Sequence, residues 1–331
     1  MRKVNYIALI LLLTSVVFAQ KSDTATKIKP APKSKIVKAD ELLEDIKFLS
    51  ADEMKGRGAG TPESAKAREY IAEKFKKAGL KMFDKSFIQE VPLKLRGGAG
   101  GNGANVVGYI EGKKSPEKYI VITAHYDHVG TENGEIYNGA DDNASGTAAL
   151  FAMAEYFSKN SPSHSLIFAA FDGEETGLQG SRHFVANLPV KKESIALNIN
   201  MDMIAHNDKN ELYAVGTYHY PQLKPALETV RKTASVKLLF GHDNPDLGRD
   251  DWTSQSDHAA FHREKIPFIY FGVEDHQDYH RPTDDFENIN QEFYIRAVET
   301  IIAAVKIFDK DLRQIGLIDY EGKLLLSAYG E

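Results

Sequence analysis

Residues Asn138–Phe157 read NGADDNASGTAALFAMAEYF, and the rest of the chain is arranged around this stretch. Its first half is turn chemistry: Asn138-Gly139, then Asp141, Asp142, Asn143, Ser145 and Gly146. From Thr147 it becomes a run of good helix formers, with Leu150, Met153, Ala154 and Phe157 at helical spacing. A loop carrying two carboxylates thus feeds directly into a buried helix, whose packing holds the loop in place. Alone, such a stretch is an ordinary Asp/Asn-rich turn with a helix N-cap. Its neighbours change that reading.

Outward from it, apolar strands alternate with helices. Tyr119–Ala124 (YIVITA) runs into His125-Tyr126-Asp127-His128, and Ser165–Phe171 (SLIFAAF) runs into DGEE with Glu174 and Glu175. Ile195–Ile204 (IALNINMDMI) carries Asp202 near its end, and Pro267–Val273 (PFIYFGV) precedes His280. Helices are expected over Thr176–Asn187, Pro221–Ser235 and Gln291–Asp311. Two more come earlier: one from Ala39 with Leu42, Leu43, Ile46 and Leu49 on one face, and one from Pro62 to Ala78, stopped by Gly79. Continuous apolar strands need cover on both faces, which predicts a three-layer α/β/α fold with a mainly parallel, mixed central sheet. In such sheets the site lies beyond the carboxyl ends of the strands, where these His, Asp and Glu residues fall.

The glycine-rich stretch Arg96–Asn105 contains a literal G-x-G-x-x-G at Gly98, Gly100 and Gly103. A dinucleotide-binding turn must follow a strand and open a helix. Here Asn105–Gly112 is β-branched and strand-like, so the match is discarded and the stretch is expected to be a flexible loop.

The chain has 331 residues, 42% hydrophobic and 27% charged, and carries a net charge of −6. That suits a globular protein with a sizeable core and offers no electrostatic case for nucleic acid or an anionic membrane surface. Residues 1–19 have a short basic start (Arg2, Lys3), an apolar stretch Tyr6–Phe18 and Ala19 at a cleavage-type position, which predicts a secretory signal peptide. Its removal takes the net charge from −6 to −8. The chain is then expected to be exported, periplasmic or extracellular, with no membrane attachment. Residues 20–38 are expected as a disordered Lys/Pro/Ser-rich leader, 39–312 as a single domain, and 313–331 as a tail. In the tail, Ile315–Ala328 alternates around a Glu-Gly turn, which fits an edge hairpin and equally a sorting or propeptide tail. Cysteine is absent, which excludes disulfides, thiolate metal sites and a cysteine nucleophile.

Taken as residue types, two histidines and three carboxylates without sulfur suit zinc or a similar borderline metal in a catalytic, open site. Without metal, Asp142, Asp202, Glu174 and Glu175 would converge as like charges, a costly arrangement that divalent cations offset. Glu174 and Glu175 are adjacent, so their side chains diverge: one can ligate while the other reaches a water. Asp127, two residues after His125, is placed to orient its imidazole.

The order AHYDH, YNGADDNASGT, DGEETGLQGS, NMDMI, YHRPTDD resembles the secreted bacterial di-zinc aminopeptidases of metallopeptidase family twenty-eight, from about Leu42 to Phe308. Five motifs in the family's order are far more specific than any one alone. The resemblance implies a zinc-peptidase catalytic domain with two zinc ions per chain. Asp142 would bridge them, His125 and Asp202 would complete one site, and Glu175 and His280 the other. It also implies Glu174 as general base, Tyr279 as a donor to the oxyanion, and a cis peptide at Asp142–Asn143. Peptides with a free N-terminus would be the substrates. Alternatives within the resemblance are a carboxypeptidase, for which Arg57, Arg182, Arg249 and Arg281 are candidate carboxylate anchors, a single-zinc glutaminyl cyclase, and a non-catalytic metal-binding relative. The cyclase branch lacks the first ligand histidine, which this chain has in His125.

Ser256-Asp257-His258 looks like a triad fragment, but no Gly-x-Ser-x-Gly elbow accompanies it; His258 is expected to line the pocket or serve packing. His128, His262 and His276 are read as ordinary polar residues, and Trp252 as either a pocket wall or core.

Overall fold

The computed structural model describes residues 33–95 and 100–310, together with 312–313, 316–319 and 323. The expected signal peptide and most of the tail lie outside these. Within them the chain runs through α1 (Ala39–Leu49), α2 (Pro62–Ala78), β1 (Ile88–Lys94), β2 (Gly100–Ile110) and β3 (Ser115–His125). A small hairpin of β4 (Gly130–Glu132) and β5 (Glu135–Tyr137) leads to the Asp142 loop and α3 (Gly146–Lys159). Then follow β6 (His164–Phe171), α4 (Gln179–Ala186), β7 (Ile195–Met201), β8 (Glu211–Val215), α5 (Lys224–Arg231) and β9 (Lys237–Phe240). The chain closes with α6 (His258–Arg263), β10 (Phe268–Gly272) and α7 (Gln291–Lys310).

Eight strands form one mixed sheet in the order β1-β2-β6-β3-β7-β10-β8-β9. Its centre, β6-β3-β7-β10, is parallel throughout; β1, β2 and β8 run antiparallel to their inner neighbours. The two faces of each central strand feed two different cores. Ile120, Ile122, Leu166 and Phe168 pack with residues of α1, α2, α3, α5 and α7, whereas Val121, Ile167, Ala169 and Phe171 pack against Phe184 of α4 and Phe261 of α6. The register levels the carboxyl ends: His125 pairs with Phe171, and Met201 with Phe271. Every strand-end residue anticipated from the sequence therefore starts from one edge of the sheet.

Several boundaries differ from expectation, each for a local reason. Gly100–Ala104 is not a loop but strand, paired with Glu90–Lys94; a Cβ at Gly103 would lie 2.5–2.6 Å from Leu93 and Asp172, so glycine is what allows this close packing. The helix after DGEE starts at Gln179 rather than Thr176, because Gly177 and Leu178 both take positive φ. The strand before Asp202 ends at Met201, and the Pro221–Ser235 helix is a short 3-10 turn followed by the eight-residue α5. Order also begins before Ala39: Ser34 donates to Glu299, Val37 is buried, and Lys38 pairs with Glu155. In the described part of the tail, the Asp319 N–H donates to the Lys323 carbonyl.

Candidate metal centre

The loop that opens the site is tied down by backbone hydrogen bonds from outside it. The Asp284 carboxylate accepts the N–H groups of Asp141 (2.9 Å) and Asp142 (3.0 Å), and its carbonyl accepts that of Ala140. Asn143 donates to the Met201 carbonyl and accepts from the Gly146 N–H, joining the loop to β7 and to its own helix. The Asp142–Asn143 peptide is cis. Gly139 has φ of 60°, and a Cβ there would lie 2.1 Å from the Asp142 carbonyl oxygen, so no other residue fits this turn. Arg57, fully buried, donates to the carbonyls of Leu49, Tyr126, Asn138 and Gly139, clamping the HYDH and NGADD segments together. His276 donates to the Asp141 carboxylate (3.0 Å) and stacks on His206, bracing the loop's outer side.

Asp142 then faces two ways. Its Oδ1 lies 3.4 Å from His125 Nε2, which is also 3.2 Å from Asp202 Oδ1. Its Oδ2 lies 3.1 Å from His280 Nε2, and that nitrogen is 3.4 Å from Glu175 Oε1. Glu174 and Glu175 diverge from the turn after β6. Ligand atoms of Glu174 fall within 4.8 Å of those of His125 and Asp202, while Glu175 joins Asp142, His280 and His128 within the same limit. Asp127 differs from the simplest expectation: His125 Nδ1 is 3.0 Å from its main-chain carbonyl and 3.8 Å from its carboxylate, which instead accepts the Glu174 N–H (3.1 Å). It thus orients both the imidazole and the glutamate turn. Tyr279 stacks on His280 at 4.1 Å and lines the cleft.

His128, read from sequence as an ordinary polar residue, is the main correction. It is buried at 1% exposure with Nδ1 2.8 Å from Glu175 Oε1 and 3.6 Å from Asp142 Oδ2. Neither of its ring nitrogens has a hydrogen-bond partner, and nor does Glu175 Oε1. Orphaned buried polar atoms of this kind are costly. Buried His and carboxylate atoms that converge while some of them lack a hydrogen-bond partner fit divalent cations, which would supply the missing partners. The doubled histidine of HYDH was the available signal; Asp284, in the TDD of the last motif, was also missed.

The electrostatics agree. Burial pushes the Glu174 carboxyl well above the ordinary carboxylate range, and Asp202 and Asp257 add to this against the opposing pull of His125. Burial would raise Glu175 as well, but His128 and His280 outweigh it and hold the group low. Burial would lower His125, but Asp202 and Glu174 outweigh it and raise the ring above its ordinary range. In both halves of the site, then, buried carboxylates and imidazoles shift one another strongly, as groups crowded at a functional centre do.

A cleft of about 330 Å³ opens over these residues, walled by Leu178, Met203, Trp252, Tyr270, Val273 and Tyr279. Trp252 is both wall and packing residue, stacked on His242 at 3.8 Å. His258 lies behind the wall, stacked on Tyr270 and bonded to the Trp252 carbonyl; Ser256 accepts from Asn200, so the Ser-Asp-His fragment forms no triad. His262 bonds Tyr220, outside the cleft lining.

A model described as Peptidase family M28 matches residues 105–305. The chain is 33% identical over 227 residues to aminopeptidase YwaD of Bacillus subtilis, covering 66% of this chain and 47% of that protein. It is 25% identical over 250 residues to a probable zinc metalloprotease of Leptosphaeria maculans, covering 67% and 56%. The chain thus matches about half the length of these curated relatives. Among solved structures, BSAP, a zinc aminopeptidase from Bacillus subtilis, superposes with a TM-score of 0.65 at 19% identity, covering 82% of this chain and 96% of that one. A Bacteroides thetaiotaomicron glutaminyl cyclase bound to N-acetylhistamine does so with a TM-score of 0.65 at 18% identity, covering 85% and 100%. At these identities the structural likeness is one of fold.

Proposed function

This chain belongs to peptidase family M28, and from that premise we propose that it is an exported two-zinc aminopeptidase that removes N-terminal residues from peptides. The observation that carries the reading is the cleft's charge: His125, Asp142, Glu174, Glu175, Asp202, Asp275 and His280 line it, and among the described residues no lysine or arginine does. A substrate's free ammonium group suits such a surface, and a C-terminal carboxylate does not. Of the arginines considered as carboxylate anchors, Arg57 spends its guanidinium on four main-chain carbonyls, and Arg182, Arg249 and Arg281 are not in the lining.

Zinc ions held by His125, Asp142 and Asp202 on one side, and by Asp142, Glu175 and His280 on the other, would acidify the attacking water and polarise the scissile carbonyl. Glu174 takes the proton of that water at its carboxylate and returns it to the leaving amine. The Asp127 carbonyl accepts from His125 Nδ1, which leaves Nε2 facing Asp142 and Asp202. Burial raises the Tyr279 hydroxyl above its ordinary range, keeping it protonated as a donor to the oxyanion. The basic and apolar start of the sequence supports export, and no helix among the described residues is long and apolar enough to cross a membrane.

The test is product mass spectrometry on one mixed-sequence peptide, with a free or an acetylated N-terminus, with and without a zinc chelator. Stepwise loss from the free N-terminus alone, stopped by chelator, is the expected result. Loss from the C-terminus of both peptides would overturn the aminopeptidase reading, and absence of cleavage by zinc-loaded protein would overturn peptide hydrolysis for this substrate.

A further inference from the structure

We propose that His128 is a fourth protein ligand to the metal held by Asp142, Glu175 and His280, making that position the tighter of the two. The inference rests on the two-metal reading above. Its basis is a set of distances among four atoms: His128 Nδ1 to Glu175 Oε1 is 2.8 Å and to Asp142 Oδ2 is 3.6 Å, while His280 Nε2 to the same two oxygens is 3.4 and 3.1 Å. Ligand atoms arranged tetrahedrally around zinc at its usual bond lengths are ~3.3 Å apart. These four separations scatter about that value.

The surroundings of the ring point the same way. His128 is 1% exposed and packed so tightly on Gly139 that a Cβ there would lie 2.5 Å from the ring. Its Nδ1 is close to a carboxylate oxygen, yet both atoms lack a hydrogen-bond partner, so they point past one another towards shared space. Among the described residues the other half of the centre has no equivalent: around His125 and Asp202 the additional neighbour is Glu174, the residue given to proton transfer. A fourth protein ligand tightens a zinc site relative to one with three. The two positions therefore differ in affinity: the one that includes His128 fills first and exchanges slowly.

Stepwise zinc titration of chelator-stripped protein, by calorimetry and bound-metal analysis, tests this, with cobalt(II) absorption reporting coordination. Wild type is expected to take up two equivalents in separated steps, the first giving the intense visible bands of tetrahedral cobalt. His128→Ser should weaken that first step by more than about 100-fold, since even partners one bond removed from a metal contribute about 10–100-fold, and should leave the second step in place. His128→Asn, whose amide oxygen can take the place of Nδ1, should recover part of the loss. It also serves as the test protein if the serine variant does not fold, as judged by circular dichroism of the stripped form. Two equivalents bound with unchanged affinities in a folded variant would overturn the role of His128 alone. A wild-type chain that binds no zinc would overturn the two-metal reading with it.

Discussion

Glu174 and Arg57 show how differently two buried charged residues can be used. Glu174 is expected to matter for rate alone: Glu174→Gln should retain bound zinc, measured by mass spectrometry, while kcat falls by about 10²–10⁴-fold, the usual contribution of a positioned base. A near-wild-type rate would remove it from that role. Arg57 matters for assembly. Burial lowers its guanidinium only to about 10, so it remains a cation at neutral pH, and its donors bond four carbonyls. Arg57→Met leaves those acceptors buried and unpaired at about 1–3 kcal/mol each. Urea unfolding should therefore show a loss of at least about 3 kcal/mol, with the Asp142 loop released. From sequence, Arg57 could be flagged only as a cation near motifs; its partners come from Leu49 to Gly139 and no local pattern names them.

At the scale of elements, the site is the place where strands stop. Runs such as YIVITA and SLIFAAF were legible because a strand buried on both faces must be apolar throughout, and the polar residue after it marks the end. The outer strands β1, β8 and β9 carry mixed sequences and were not anticipated. Helix α4 was expected three residues too early, since glycine and leucine in left-handed conformation hold the Glu174–Glu175 turn open before it. That turn depends on close packing of α4: a Cβ at Gly180 would lie 2.3 Å from the Asp172 carbonyl oxygen. Gly180→Ala should push α4 outward, with a stability loss of about 1–3 kcal/mol as for other overpacked sites. Weaker zinc uptake in the same protein, followed by calorimetry, is the accompanying expectation; unchanged uptake would mean the turn is held by Asp127 alone.

For the whole molecule, metal and fold are coupled, because the carboxylates that converge at the sheet edge repel one another without it. Metal that binds only the folded chain stabilises it by about 4 kcal/mol at 1,000 times its Kd, so chelation should lower the calorimetric Tm and zinc should restore it. Acid acts through a different group. His258, buried against Tyr270, has its ring held down to about 4 by burial, against about 6.5 when unfolded. The folded state therefore favours the neutral ring. Its contribution is intact above pH 6.5 and is lost progressively as pH falls towards 4, by about 3 kcal/mol in all. Urea unfolding at pH 7, 5.5 and 4.5 should give a shallower decline for His258→Gln than for wild type; parallel declines would assign the acid sensitivity elsewhere.

The sequence by itself determined the layer architecture, the edge on which the site would lie and the motif set that identifies the family. These follow from periodicity, strand-end position and residue type, all local properties of the chain. Only the tertiary structure decided which histidine of HYDH faces which carboxylate, that Asp127 acts through its carbonyl on His125 and through its carboxylate on Glu174, and that Asp284 fastens the Asp142 loop from 142 residues away. Those relations depend on side-chain direction and on strand register across the sheet, and a one-dimensional pattern carries neither.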